Sequence, residues 1–300
     1  MRREGREESL FLKSVLKPLG HDVSCPNMFI MPAIDLARLR KQASRLADFF
    51  FVPDEFIRHL REMLDFYVDH TMRTQHATAP TANMPSYHIS PVILKQIEQE
   101  IHRNASEYPD AALELADRLW DEGYLETRLL AAYLLGQIPP QEERLLARLT
   151  AWTQQVYDPS LRAQLLDHGL GRMRRETPDQ FLELIAQWLQ PERTRLWSNG
   201  LQAVISAVSD LSFVNHPPLL KVLEPIVEAA PAKLQNEIEE FILALYKASP
   251  TETLYFVREV LTNSNDPMTA ITFRRISPSF PNELKDGIRE FIRAKPSSDI

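Results

Sequence analysis

The feature that most constrains this chain is a recurring unit. Apolar-periodic segments begin near Leu125, Pro159, Thr194, Ala232 and Asp266, about 34 to 38 residues apart, the length of a helix-pair repeat. Each unit repeats one grammar: an apolar helix, a short turn with proline, a second helix. Leu125–Ile138 breaks at Pro139-Pro140 and resumes as Gln141–Val156. Leu161–Met173 breaks at Thr177-Pro178 and resumes through Trp188. Leu196–Val208 breaks around His216-Pro217-Pro218, Leu234–Tyr246 breaks at Ser249-Pro250, and a last helix follows Pro278 and Pro281 to reach Arg293. No segment shows sustained strand alternation. Helices this short are marginal alone in water, so each must bury its apolar stripe on its neighbours. The expected fold is all-α, a HEAT-like solenoid of stacked antiparallel helix pairs.

Composition agrees where it bears on this. Glycine is scarce, at 8 of 300 residues, while proline reaches 22. Few glycines argue against many tight β-turns and against phosphate-cradling loops; proline suits the first turn of many short helices. Before the array, apolar spacing predicts one helix from Ile34 through Ala47 and a second carrying Phe56, Ile57, Leu60, Leu64 and Val68, with Asp54 as its N-cap. The expected organisation is an irregular segment 1–33, an N-terminal helical cap 34–76, a linker or loop 77–90 rich in Thr, Ala, Pro and His, and the array 91–296.

Chemistry leaves fewer marks. The chain lacks G-x-G-x-x-G, a Walker loop, H-E-x-x-H and G-x-S-x-G, so no cofactor is expected. Glu98 and His102 share a helix face one turn apart, yet a metal site needs three or four ligands and no metal is expected. Asp65 and Asp69 read as exposed helix carboxylates. A lone cysteine, Cys25, cannot form an internal disulfide. With Lys13 and Lys17 interrupting the apolar stretch near the start, and no run long enough to span a bilayer, the expected location is cytoplasmic, with no membrane partner.

The net charge is -7, which is not the global signature of a nucleic-acid binder. Its distribution is more informative. No lysine occurs between Lys95 and Lys221, and positive charge in that span is carried by arginine, including Arg172, Arg174, Arg175, Arg193 and Arg195. A guanidinium fork donates two parallel hydrogen bonds to phosphate. Composition alone favours reading the same arginines as a solvated face paired with Glu176, Asp179, Glu183 and Glu192. Trp152 and Trp197 lie within or beside the span, where aromatic rings between cations suit stacking on nucleic acid, or where they fill gaps between helices.

Several segments resemble the DNA alkylation repair proteins, HEAT-repeat glycosylases of the AlkD type. They are Leu119-Trp120-Asp121-Glu122 running on through Ala131-Ala132, Ala151-Trp152 like the start of a Trp-Asp-x-x-Asp element, Arg195-Leu196-Trp197 followed by Leu201-Gln202-Ala203-Val204 like a Leu-Trp-x-x-Arg-x-Ala element, and Tyr246 to Pro250 with Phe256-Val257. The likeness covers roughly residues 90 to 295. It implies a basic groove on duplex DNA and release of cationic alkylpurines by a carboxylate, an arginine and tryptophans. Where that carboxylate belongs stands Val156, the nearest acid being Asp158; where the arginine belongs stands Gly200; the third aromatic falls at Glu240 or Phe241. The expected function is that of a non-catalytic or weakly active relative that binds duplex DNA through Trp152, Arg172, Arg174, Arg175, Arg193, Arg195 and Trp197. One alternative is a scaffold whose partner is another protein. The other is an active glycosylase using Asp158 with Arg193 or Arg195.

Overall fold

A computed structural model describes residues 34–68, 84–141, 143–210, 213, 215–229, 231–264 and 266–294. The expected segment 1–33 with Cys25, the end of the expected cap at 69–76 with Asp69, and half of the expected linker, 77–83, lie outside the described residues. The chain divides into two compact units, Met1–Leu36 and Ala37–Ile300, and the second carries the architecture that follows.

Among the described residues every regular element is helical. They are α1 (Leu36–Ala47), α2 (Pro53–Tyr67), α3 (Pro91–Glu107), α4 (Pro109–Asp121), α5 (Leu125–Leu135), α6 (Glu143–Gln155), α7 (Pro159–Glu176), α8 (Pro178–Trp188), α9 (Trp197–Ser209), α10 (His216–Ala229), α11 (Gln235–Ala248), α12 (Pro250–Asn263), α13 (Pro267–Ile276) and α14 (Asn282–Ala294). They form an all-α solenoid of stacked antiparallel helix pairs. In one row α3, α5, α7, α9, α11 and α13 each pack on the next; on the other side α2 meets α4, and α8, α10, α12 and α14 follow in succession.

The repeat is written in the polar contacts as well. Arg144 donates to Asp110, Arg162 to Ser198, Ser198 to Glu237, Gln235 to Thr272 and Tyr246 to Glu283, partners that stand 34, 36, 39, 37 and 37 residues apart. Each is one repeat away; the first four join a helix to the next of its own row, while Tyr246 of α11 crosses to Glu283 of α14 in the other row. Between rows the contact is largely apolar, with Asn199 donating to Thr153 at 3.0 Å as a buried exception. Phe181, Phe241, Phe273, Leu149, Leu165 and Ile242 are fully buried.

Proline sets many of the helix starts. Pro53, Pro91, Pro109, Pro159, Pro178, Pro250 and Pro267 each occupy the first turn, where the missing N–H costs nothing. Asp158, Ser249 and Asp266 cap their helices by accepting from Leu161 N, Glu252 N and Met268 N. Asp54 does not cap α2. With Pro53 at the first helical position the cap falls on Val52, and Asp54 sits inside the first turn, where its charge meets the positive helix end and the guanidinium of Arg118. Two repeats start three residues later than the pattern predicts, because short 3-10 turns at Pro191–Arg193 and Ala232–Leu234 precede α9 and α11. Between α4 and α5 the chain turns through Gly123 at φ 75°, a conformation that favours glycine.

One buried carboxylate is structural. Glu126 accepts from the Ser86 hydroxyl at 2.7 Å and from the backbone N–H groups of Tyr87 and His88 at 3.0 and 2.9 Å. It pins residues 84–90 against α5 and holds His88 at φ 54°. The sequence carries no sign of this, since the partners are irregular backbone 38 to 40 positions upstream.

Candidate nucleic-acid interface

The seven candidate binding residues do not form one patch. Helix α7 has 18 residues, about 27 Å of rise. Arg172, Arg174 and Arg175 sit in its last turns. Arg193, Arg195 and Trp197 lie where α8 hands over to α9, and the N-terminal end of α9 lies beside the N-terminal end of α7, since Arg162 reaches Ser198 at 3.1 Å. The two groups of arginines are therefore at opposite edges of the array.

At the α7 C-terminus the positive charge is largely spoken for. Arg172 donates to Glu176 at 2.6 Å and to the Gln137 carbonyl at 2.7 Å. Arg174 is 6% exposed, donates to Asp167 at 2.8 Å and lies 3.7 Å from Asp210. Such a guanidinium neutralises two carboxylates and the negative ends of two helices, which is a structural task. Arg175 is exposed and forms no ion pair among the described residues.

The other edge is freer. Arg193 and Arg195 are exposed and form no side-chain hydrogen bond or ion pair among the described residues. Trp197 is half-buried; its indole N–H donates to the Gln190 carbonyl at 2.9 Å. The Lys233 ammonium stands 6.0 Å from the Trp197 ring and donates to the Thr194 carbonyl. Tyr157, in the neighbouring α6–α7 connection, is 83% exposed. This edge thus offers three cations and two accessible aromatic rings.

Trp152 has a different place. It is 6% exposed and stacks on Trp120 with ring centroids 4.2 Å apart and planes within 6°. The Arg128 guanidinium lies over the Trp120 ring at 4.7 Å, and Trp120 donates to Gln155 at 3.1 Å. Burial lowers the pKa of Arg128, leaving it a cation held against an aromatic face. The Arg128, Trp120 and Trp152 column joins α4, α5 and α6, and the stacking surface of Trp152 is used within the protein.

The positions where the resemblance expects catalytic groups are equally occupied by packing. Val156 is 1% exposed, and its carbonyl accepts from Arg162 at 2.8 Å. Gly200 is buried on α9, and a Cβ there would stand 2.6 Å from Leu189 Cδ2. Helix α9 passes the end of α8 at glycine distance, so a longer side chain has to push Leu189 aside. Asp158, the one catalytic candidate, is exposed and spends an oxygen on capping α7 at 2.8 Å. Phe241 is fully buried against Phe256, and Glu240 is exposed.

A cluster that the sequence hinted at only through Glu98 and His102 lies on the row-one face. Tyr133 of α5 shares a hydrogen bond of 3.0 Å with His102 Nδ1, and its ring meets His168 of α7 edge-on at 6.3 Å. Burial pushes the Glu98 carboxyl above its ordinary value, against the opposing pull of His168 and Lys95. Burial, helped by Glu98, pushes the Tyr133 phenol up to about 12. Among the described residues no three His, Cys, Asp or Glu side chains are placed to hold a metal. No described helix is long and apolar enough to cross a membrane.

Comparison with known proteins agrees with this geometry. No curated protein and no solved structure matches the chain. The family model described as "DNA alkylation repair enzyme" matches residues 57–210, from α2 through the end of α9. The matched region includes the column of Trp120 and Trp152, the α7 capped by Asp158 and the edge at Trp197; the Tyr246 to Val257 resemblance lies beyond it. Just over half of the sequence is covered, and the chain belongs to the DNA alkylation repair enzyme family.

Proposed function

We propose that this family member contacts nucleic acid through the α8–α9 edge and excises no bases, or excises them very slowly. The observation that carries the binding half is the pair Arg193 and Arg195, exposed and unpaired among the described residues, beside Trp197 and Lys233. Cations without a carboxylate partner are available to phosphate, and a half-exposed indole among them supplies a stacking surface. The family supports DNA as the polymer. Trp152 and Arg174 leave the proposed interface, because their contacts are made within the protein. The catalytic half rests on Val156 and Gly200. Neither offers a charge to a developing cation or to a phosphate, and both are buried. The proposed setting is the cytoplasm.

The test is one duplex carrying a methylated purine. Binding followed by anisotropy should weaken steeply with salt, as phosphate contacts release condensed counterions. Arg193→Ala and Arg195→Ala should each weaken binding evenly across sequences and lower the salt slope by about one. No base should be released over hours. Efficient release overturns the catalytic half and makes Asp158 the first residue to replace. No salt-dependent binding overturns the binding half and favours a protein-interaction scaffold. That second reading draws on the arginines already committed to carboxylates, Arg148 to Asp117, Arg172 to Glu176 and Arg174 to Asp167, in a chain of net charge -7.

A further inference from the structure

Three consecutive row-one helices start beside an aromatic side chain. Tyr124 is the N-cap of α5, Tyr157 directly precedes Asp158, the N-cap of α7, and Trp197 is the first residue of α9. These helices run parallel and in step. Between α5 and α7, Gln137 meets Arg172 and Tyr133 meets His168; between α7 and α9, Arg162 meets Ser198 and Arg174 meets Asp210. Their starts therefore fall on one edge, about 10 Å from one to the next. The Arg162 guanidinium ties the last two together, donating to the Val156 carbonyl at 2.8 Å and to the Ser198 hydroxyl at 3.1 Å.

Tyr157 is 83% exposed, the highest value among the exposed large apolar and aromatic side chains of the described residues. A lone exposed ring needs no explanation. This one is mounted: Arg162 holds the carbonyl before it, and Asp158 and Pro159 fix the turn after it. A ring held in place loses little freedom on binding. Trp197 is half-buried, anchored by its N–H on Gln190, and Tyr124 is half-buried against Tyr87. The carboxylates beside these rings are mostly engaged. Glu122 is bonded to Arg61, Asp158 to the first turn of α7, and Glu237 to Ser198, which Arg162 also holds; Glu192 is exposed. Against it stand Arg193, Arg195 and Lys233, a modest positive balance.

We propose that this edge carries single-stranded DNA, laid across the starts of α5, α7 and α9, with bases stacked on Tyr157 and Trp197 and phosphates on Arg193 and Arg195. The inference rests on the nucleic-acid reading of the α8–α9 edge and names the form of the polymer. In a duplex each base face is covered by its neighbours, so a ring on this edge meets only sugar and phosphate. An unpaired strand offers a bare π-face at every base, and rings among cations are how such strands are held. With the positive charge modest, stacking decides between the two forms.

The test is anisotropy on the full chain with three labelled probes of equal length: a thymidylate oligomer, the same oligomer with abasic sugars, and a blunt duplex. The thymidylate strand should bind at least about tenfold more tightly than either of the others, the order of one stacked base. Tyr157→Ala should weaken the thymidylate strand about tenfold and leave the duplex unchanged, and Tyr157→Phe, which keeps the ring, should bind as the native protein does. Thermal unfolding of both variants should match the native protein, since the side chain is exposed. Equal binding of the abasic and thymidylate strands, a duplex held as tightly as the single strand, or no effect of Tyr157→Ala overturns the inference. Salt-dependent duplex binding without single-strand preference sinks the inference and leaves the nucleic-acid reading standing. Binding of none of the three probes sinks both.

Discussion

Val156 shows how a single position separates descent from activity. The family's chemistry calls for a carboxylate there, and this chain places an isopropyl group that is 1% exposed. Reinstating the acid should not reinstate the reaction. Val156→Asp puts a charge among apolar neighbours, and the nearest guanidinium, Arg162, already serves the Val156 carbonyl and Ser198. The expected cost is about 2–4 kcal/mol of stability in urea unfolding, with no base release gained. A loss under about 1 kcal/mol would mean that the position reaches water, and would reopen the family's chemistry at this point. Much at this scale was legible beforehand. The absence of the two charged groups is plain in the sequence, and Asp158 ahead of Pro159 is a cap signal as readable as any catalytic one. Trp152 was harder. It follows Leu145 and Leu149 at helical spacing, which points to the core, yet its neighbours in sequence include the arginines that made a binding role attractive. Only the parallel contact with Trp120, from another helix, separates the two readings.

Elements explain why the arginines scattered. Sequence proximity from Arg172 to Trp197 suggested one patch. A helix hairpin does the opposite: α8 carries the chain back along α7, so residues before the Thr177 turn and residues after Leu189 end at opposite edges. The spacing of helix starts was readable because proline and acidic caps mark them, while the 3-10 turns that delay α9 and α11 left no periodic signal. Asp158 belongs at this scale. Its oxygen accepts Leu161 N at 2.8 Å and closes the first turn of the longest described helix. Asp158→Ala should cost about 1 kcal/mol, and Asp158→Asn should recover most of it, since both native and asparagine side chains offer the accepting oxygen. Thermal unfolding at neutral pH reads this directly. A cap role predicts that DNA binding is the same for all three proteins at temperatures where each is folded. A large loss of binding in Asp158→Asn, with stability retained, would assign the residue a functional charge.

The whole molecule is quasi-one-dimensional, and that has a measurable consequence. Row contacts join each helix mainly to the next, as in α5 with α7, α7 with α9, and α9 with α11. In such an array stability is the sum of local terms and nearest-neighbour interfaces, so damage at one end need not be felt at the other. The four tryptophans are Trp120, Trp152, Trp188 and Trp197, all in the central repeats. Their fluorescence reports the middle of the array, whereas circular dichroism at 222 nm reports every helix. Phe241 lies outside the tryptophan span, fully buried on α11 with its ring 5.8 Å from Phe256 of α12. Phe241→Ala removes that packing at a cost of about 3–5 kcal/mol. If coupling is local, the loss falls on α11 to α14. The dichroism midpoint in urea should then drop and its transition broaden, while the tryptophan midpoint moves much less. In the unaltered protein the two probes should nearly coincide, because adjacent interfaces of similar strength unfold together. Coincident midpoints in the variant, both lowered by the full amount, would refute the one-dimensional picture and make residues 37–294 a single cooperative unit. The outcome also bears on function. Five described helices follow the α8–α9 edge, α10 to α14, and under local coupling its arginines keep their geometry when α11 is weakened. DNA binding by Phe241→Ala should therefore survive at urea concentrations where part of the helical signal has already gone.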